Sequence, residues 1–121
     1  MNIISIRGAI TADNNTTEDI TSATVELFRE IVGQNNIFIP NIINIIFSVT
    51  KDLNAVYPAK ALREHFDVGT TPLFCVQEAD IQNSLEKCIR VMVTVSSDMI
   101  KSDVKHIYLK GAQKLRPDLL N

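Results

Sequence analysis

The sequence predicts an α+β fold, a mixed β-sheet of about five strands with one long and several short helices on one face. Apolar runs of strand composition recur along the chain, at Ile3–Ile6, Ile42–Thr50, Pro72–Gln77 and Cys88–Val95. Only one stretch, with Ile20, Ala23, Leu27 and Ile31 at helical spacing, is long enough for a substantial amphipathic helix. The length of 121 residues suits one core, so residues 1–121 read as a single domain.

In the first strand, alternation places Arg7 on the face of Ser5 and Ala9, whose small side chains leave room above a guanidinium. Thr16-Thr17-Glu18-Asp19 supplies a helix N-cap and first-turn acids, and the helix is expected to run to Gly33. Asn35 and Asn36 make a turn, and Pro40 forbids a central strand position. In the second strand Ile43, Ile45, Phe47 and Val49 are expected on one face, with Asn44, Ile46, Ser48 and Thr50 on the other. A short helix over Ala59–Phe66 sets Lys60 and Arg63 on one face. Pro72–Gln77 is a third strand, Ile81–Lys87 a turn or short helix, and Cys88–Val95 a fourth strand. One helical turn over Ile100–Val104 precedes a last strand at His106–Lys110, where Ile107 and Leu109 point away from His106 and Tyr108. Pro117 prevents a helix from continuing through the tail. Strands apolar on both faces in so short a chain imply that the face without helices meets a second subunit.

A net charge of −2 with 45% hydrophobic residues argues against a basic nucleic-acid binder and against a disordered acidic chain. The apolar runs are far shorter than a membrane span, and the first residues lack a secretory leader, so a cytoplasmic protein is expected, without membrane or nucleic-acid partners. The 2 cysteines are then expected to stay reduced.

Arg90 sits inside an apolar strand, where an unpaired buried charge would be expensive. Something anionic is expected opposite it, either Glu78 or a ligand. Arg7, Lys60, Arg63, Arg90 and Arg116 together would suit a small polycarboxylate, because the guanidinium fork holds a carboxylate bidentately and keeps its proton. Taken singly, Lys60, Arg63 and Arg116 read as surface charges. Cys75 between Phe74 and Val76 reads as a core thiol, and nothing brings it to His65 or His106 as a nucleophile pair. No metal-ligand spacing and no glycine-rich phosphate loop is present, so neither metal nor cofactor is expected.

In combination, Arg7-Gly8-Ala9-Ile10-Thr11, Tyr57-Pro58-Ala59-Lys60-Ala61-Leu62-Arg63, Cys75-Val76-Gln77-Glu78-Ala79-Asp80, Cys88-Ile89-Arg90-Val91-Met92, His106-Ile107-Tyr108-Leu109 and Leu115-Arg116-Pro117-Asp118-Leu119 resemble the small monofunctional bacterial chorismate mutases. The resemblance spans essentially the whole chain in the right order and spacing. It implies a homotrimer forming a pseudo-α/β barrel, with active sites at clefts between subunits that rearrange chorismate to prephenate. By the same resemblance, Arg90 holds one carboxylate and donates to the ether oxygen. Arg7 binds the other carboxylate, Tyr108 helps to position it, and Glu78 with Cys75 of the adjoining subunit takes the ring hydroxyl. Tyr57, Ala59, Lys60, Arg63, Leu73 and Phe74 line the far side, and Leu115 and Arg116 close over the substrate.

Tyr57 stands where the family commonly has phenylalanine, and Phe74 where a small hydroxyl residue is common. A pericyclic rearrangement needs no nucleophile, metal or proton transfer, so a chain without a catalytic triad fits the reaction. The residues themselves leave two alternatives. One is an imine deaminase-like trimer that binds small carboxylates, the other a metabolite sensor that binds an anion without turnover.

Overall fold

The computed structural model describes residues 1–116. Its strands are β1 (Asn2–Thr11), β2 (Ile42–Val49), β3 (Leu73–Gln77), β4 (Cys88–Ser97) and β5 (Ile107–Tyr108). The helices are α1 (Thr17–Asn35) and α2 (Pro58–His65), with 3-10 turns at Ile39–Asn41, Lys101–Asp103 and Lys110–Leu115. One mixed sheet runs in the order β3-β2-β4-β1-β5. Its centre, β4, pairs antiparallel with β1 and β2, whereas β3 and β5 join parallel at the two edges. The α+β expectation, with helices on one face, matches this arrangement.

Both helices lie on the face carrying Ile4, Ile6, Ile45, Phe47, Val91 and Val93. There α1 buries Ile20, Ala23, Leu27, Phe28 and Ile31, one apolar stripe at helical spacing. Thr16 caps its start, accepting the Asp19 N–H at 3.1 Å. Gly33 does not end it. The helix continues to Asn35, and Asn36 stops it by adopting φ 51°, its N–H donating to the Val32 carbonyl. Asparagine tolerates that left-handed conformation, so Asn36 does the work expected of glycine. The Phe28 and Phe66 rings meet edge to face at 4.8 Å, where α2 closes against α1.

Pro40 falls in the 3-10 turn before β2, outside the ladder. The expected alternation in β2 fails at its start. A register irregularity between Ile42 and Asn44 turns Ile42 into the core and leaves Ile43 exposed. The extra residue of a bulge shifts every side chain before it to the opposite face. From Ile45 onward the expected faces hold.

The opposite face of the sheet exposes Ile3, Ile46, Phe74, Val76 and Met92, with Ile3 at 70% and Phe74 at 64% accessibility. Among the described residues this face is covered at one corner, where Ala9, Cys88, Tyr108 and Ala112 form a small second cluster joined by Leu85 and Leu115. Ile107 belongs to the main core and Tyr108 to this cluster, so the two point apart as expected. No helix among the described residues is long and apolar enough to cross a membrane.

Candidate active site

Sheet register assembles the site. Along one row of the helix-free face the ladder aligns Val76, Ser48, Arg90, Ala9 and Tyr108, and along the next Phe74, Ile46, Met92 and Arg7. Because side chains alternate with period two, everything in these rows points to the same side. Arg7, Arg90 and Tyr108 thereby share a cavity of about 220 Å³, with Ile46, Ser48 and Met92 in its wall. Ala9, between Arg90 and Tyr108, is small enough to leave the space open.

Arg90 is less enclosed than an apolar strand suggests. Its side chain is 42% accessible, because the bare sheet face gives it an opening. Its Nε, however, is buried. That nitrogen lies 3.2 Å from Glu78 Oε2, close enough for charge pairing, yet its N–H is not aligned for a hydrogen bond. Glu78 is therefore the anion opposite Arg90 within this chain, and it leaves a buried donor unsatisfied. The same Oε2 accepts the Ser48 hydroxyl at 2.6 Å. The Glu78 backbone is pinned as well, its N–H donating to the Val49 carbonyl at 2.8 Å.

A second group of residues gathers at the β3 edge, on the helix side. Tyr57, Lys60 and Cys75 line a cavity of about 510 Å³ between the β2–α2 connection and β3. Cys75 aligns with Phe47, so its thiol points toward the helices, whereas Phe74 faces the opposite way. Burial pushes the Cys75 thiol up, outweighing the Ala59 backbone and the Arg63 charge, which pull it down. The sulfur is thus a neutral thiol next to Ala59 and Arg63, not a thiolate nucleophile. Leu73 is half-buried against the core and Tyr57 is exposed. Lys60 reaches Glu64 at 3.8 Å in an exposed pair that holds it weakly.

Within one chain the two groups do not meet. The sheet separates Arg7, Arg90 and Tyr108 from Cys75, whereas Phe74 and Val76 stand on the same face as the two arginines. Leu115 packs against the corner cluster that holds Tyr108, and the Arg116 charge lowers the pKa of His106. Pro117, Asp118 and Leu119 lie outside the described residues.

Two residues near the site escaped sequence reasoning. Ser48 is a lone serine in a strand, and only the ladder reveals that it stands beside Arg90. His106 carries no site role in the sequence reading beyond a rejected pairing with a thiol, yet its Nδ1 accepts the Arg7 backbone N–H at 2.9 Å. The sequence predicts a last strand over His106–Lys110, but the strand is only Ile107–Tyr108, so His106 lies just ahead of β5 and Lys110 opens the 3-10 turn.

The family model for chorismate mutase type I matches residues 3–119. This chain belongs to that family. It is 41% identical over 119 residues to chorismate mutase AroH of Bacillus subtilis, covering 98% of this chain and 94% of the relative. It is 38% identical over 115 residues to chorismate mutase AroH of Thermus thermophilus, covering 94% and 93%. A solved chorismate mutase from Clostridium thermocellum superposes with a TM-score of 0.88 at 46% identity, covering 92% of this chain and 98% of that one. The chain is accordingly an isomerase with chorismate mutase function, and chorismate is the substrate the family implies. Neither the deaminase-like alternative nor the sensor finds support beside these matches. For a chorismate mutase the chemistry of the site is apt: guanidiniums and a phenol are fixed donors, suited to carboxylates and to an oxygen gaining charge.

Proposed function

We propose that this chain acts in the cytoplasm as a homotrimer of single-domain protomers, residues 1–121, on the route to phenylalanine and tyrosine. Its reaction is the intramolecular Claisen rearrangement of chorismate to prephenate, at clefts shared by neighbouring protomers. The observation that carries this reading is the division of the site residues between the two sides of one sheet. Arg7, Arg90 and Tyr108 open on the helix-free face, while Tyr57, Lys60 and Cys75 line a cavity at the β3 edge. A second copy that lays its β3 edge across the open face unites the groups. It also covers the exposed Ile46, Phe74, Val76 and Met92.

In the rearrangement an ether C–O bond breaks as a C–C bond forms, with no proton exchanged and no covalent intermediate. The protein therefore contributes a compact conformer and charge where charge develops. Arg90 holds one carboxylate and donates to the ether oxygen as it becomes negative. Arg7 binds the other carboxylate, and Tyr108 orients it. Glu78, with Cys75 of the adjoining protomer, receives the ring hydroxyl, and a neutral thiol suits that polar contact. Tyr57, Ala59, Lys60, Arg63, Leu73 and Phe74 complete the walls, and Leu115 and Arg116 close the entrance. No cofactor takes part.

A millionfold acceleration corresponds to roughly 8 kcal/mol, and one well-placed donor supplies about 2.7 to 4 kcal/mol. Arg90 alone is insufficient, and conformer selection by Arg7, Glu78 and Tyr108 provides the remainder.

Complementation tests the shared cleft. Arg90→Ala removes the donor to the ether oxygen and Arg63→Glu reverses a binding charge, so each disables a different half of the site when turnover is read well below KM. Co-expressed, they reassemble intact clefts in mixed trimers, with about a quarter of normal turnover for random assembly of a closed three-membered ring. Absence of recovery in trimers proven to be mixed, or a solution mass equal to one chain, overturns the reading.

A further inference from the structure

We infer that Ser48 is a positioning residue for Glu78 and, through it, for Arg90. The inference rests on the proposed role of Glu78 as acceptor of the ring hydroxyl. The Ser48 hydroxyl donates to Glu78 Oε2 at 2.6 Å, a length typical of a charge-assisted bond to a carboxylate. Arg90 Nε lies 3.2 Å from the same oxygen. Two positive ends thus converge on Oε2, which leaves Oε1 as the oxygen with capacity for a ligand hydroxyl.

Position makes Ser48 the natural anchor. Its backbone is opposite Arg90 on one side and opposite Val76 on the other, so it stands between the strand bearing Arg90 and the one leading into Glu78. It also lines the cavity shared by Arg7, Arg90 and Tyr108. A carboxylate and a guanidinium left to themselves favour the fork-to-fork arrangement, two parallel hydrogen bonds that occupy both oxygens. Here that arrangement is absent. The serine holds the carboxylate to a single sideways contact at Nε, and the unaligned Nε proton is its structural signature. Without the hydroxyl, Glu78 is free to turn onto Arg90 and to neutralise the cation needed at the ether oxygen.

Steady-state kinetics on chorismate with Ser48→Val, Ser48→Thr, Glu78→Gln and the Ser48→Val/Glu78→Gln double variant test this. Valine keeps the shape of threonine without its hydroxyl, so the pair isolates the hydrogen bond from packing, and equal urea midpoints verify the fold. Expected is a loss in kcat/KM of roughly tenfold for Ser48→Val, largely regained in Ser48→Thr, and no further loss when Ser48→Val is added to Glu78→Gln. Equal losses in both backgrounds, or full activity in Ser48→Val, overturn the role of Ser48 while leaving Glu78 in place. Full activity in Glu78→Gln instead removes the carboxylate from the reaction, and the proposal with it.

Discussion

The backbone N–H of Arg7 donates to Nδ1 of His106 at 2.9 Å, binding the guanidinium-bearing strand to the segment that leads into Tyr108. An imidazole that accepts at Nδ1 must be neutral there, with its proton on Nε2. Burial of the half-exposed ring holds its pKa below the ordinary 6.5, and the positive charges of Arg7 and Arg116 push the same way. The unfolded chain therefore binds a proton on His106 more readily than the folded one. Linkage makes this stabilisation complete above about pH 6.5, and it is lost as pH falls through the folded value. Urea denaturation of the native protein is expected to show the loss between neutral and mildly acidic pH. His106→Asn retains an acceptor and cannot titrate, so subtracting its profile should isolate this component. Identical pH profiles for the two proteins would remove His106 from the balance.

Gly8 is required by packing, since a Cβ there would lie 2.8 Å from Ile31 Cδ1 and 3.1 Å from both the Ile107 carbonyl and Leu27 Cδ1. The side chains of α1 can yield somewhat, but the backbone of β5 cannot without breaking its short ladder. Gly8→Ala is expected to destabilise the protein by about 1 to 3 kcal/mol, the usual cost of overpacking, as a lower urea midpoint with an unchanged slope. Because Gly8 adjoins Arg7 and Ala9, displacement of β5 should also shift Tyr108 and raise KM.

Periodicity in the sequence exposed much of this architecture. Ile20, Ala23, Leu27 and Ile31 announce α1, and the alternation around Ile6 and Arg7 announces β1 and the face on which Arg7 stands. Boundaries set by backbone conformation were less legible. Gly33 looked like the helix stop, whereas Asn36 took the left-handed position. The irregularity before Asn44 leaves no mark in a run of isoleucines that is apolar either way. Arg90 stood out because a charge in an apolar strand needs a reason. Ser48 did not, because one hydroxyl becomes meaningful only when register sets it beside a particular arginine and glutamate. The residues alone do not disclose that the sheet separates Cys75 from Arg90, since that depends on the β2–β3 register, although the family resemblance already gives Cys75 to the adjoining subunit.

Arg90→Lys is expected to lower kcat about 10²- to 10³-fold, the range for loss of a single well-placed donor to a developing oxyanion. An ammonium keeps the charge but cannot address a carboxylate and an ether oxygen together as the planar fork does. The fold should survive, because the Arg90 side chain is partly solvated and its contact with Glu78 is not an aligned hydrogen bond. Chorismate absorbance decay measures the first expectation and far-ultraviolet circular dichroism the second. Near-normal turnover in a folded Arg90→Lys protein would exclude the proposed contact with the ether oxygen.

Lys60 and Arg63 are exposed on α2, and their effect should fall on encounter and ground-state binding. Chorismate arrives as a dianion, and cations at the mouth of a cleft raise its local concentration. Lys60→Ala and Arg63→Ala are each expected to raise KM about tenfold at low salt, with kcat little changed. Their deficit should shrink as ionic strength rises, because the Debye length falls from about 30 Å at 0.01 M to about 3 Å at 1 M. The diagnostic measurement is kcat/KM against salt. The native protein should decline with added salt, and the Lys60→Ala/Arg63→Ala double variant should be nearly flat. Parallel slopes would mean that these cations do not steer, and a fall in kcat instead of a rise in KM would place Arg63 against the transition state.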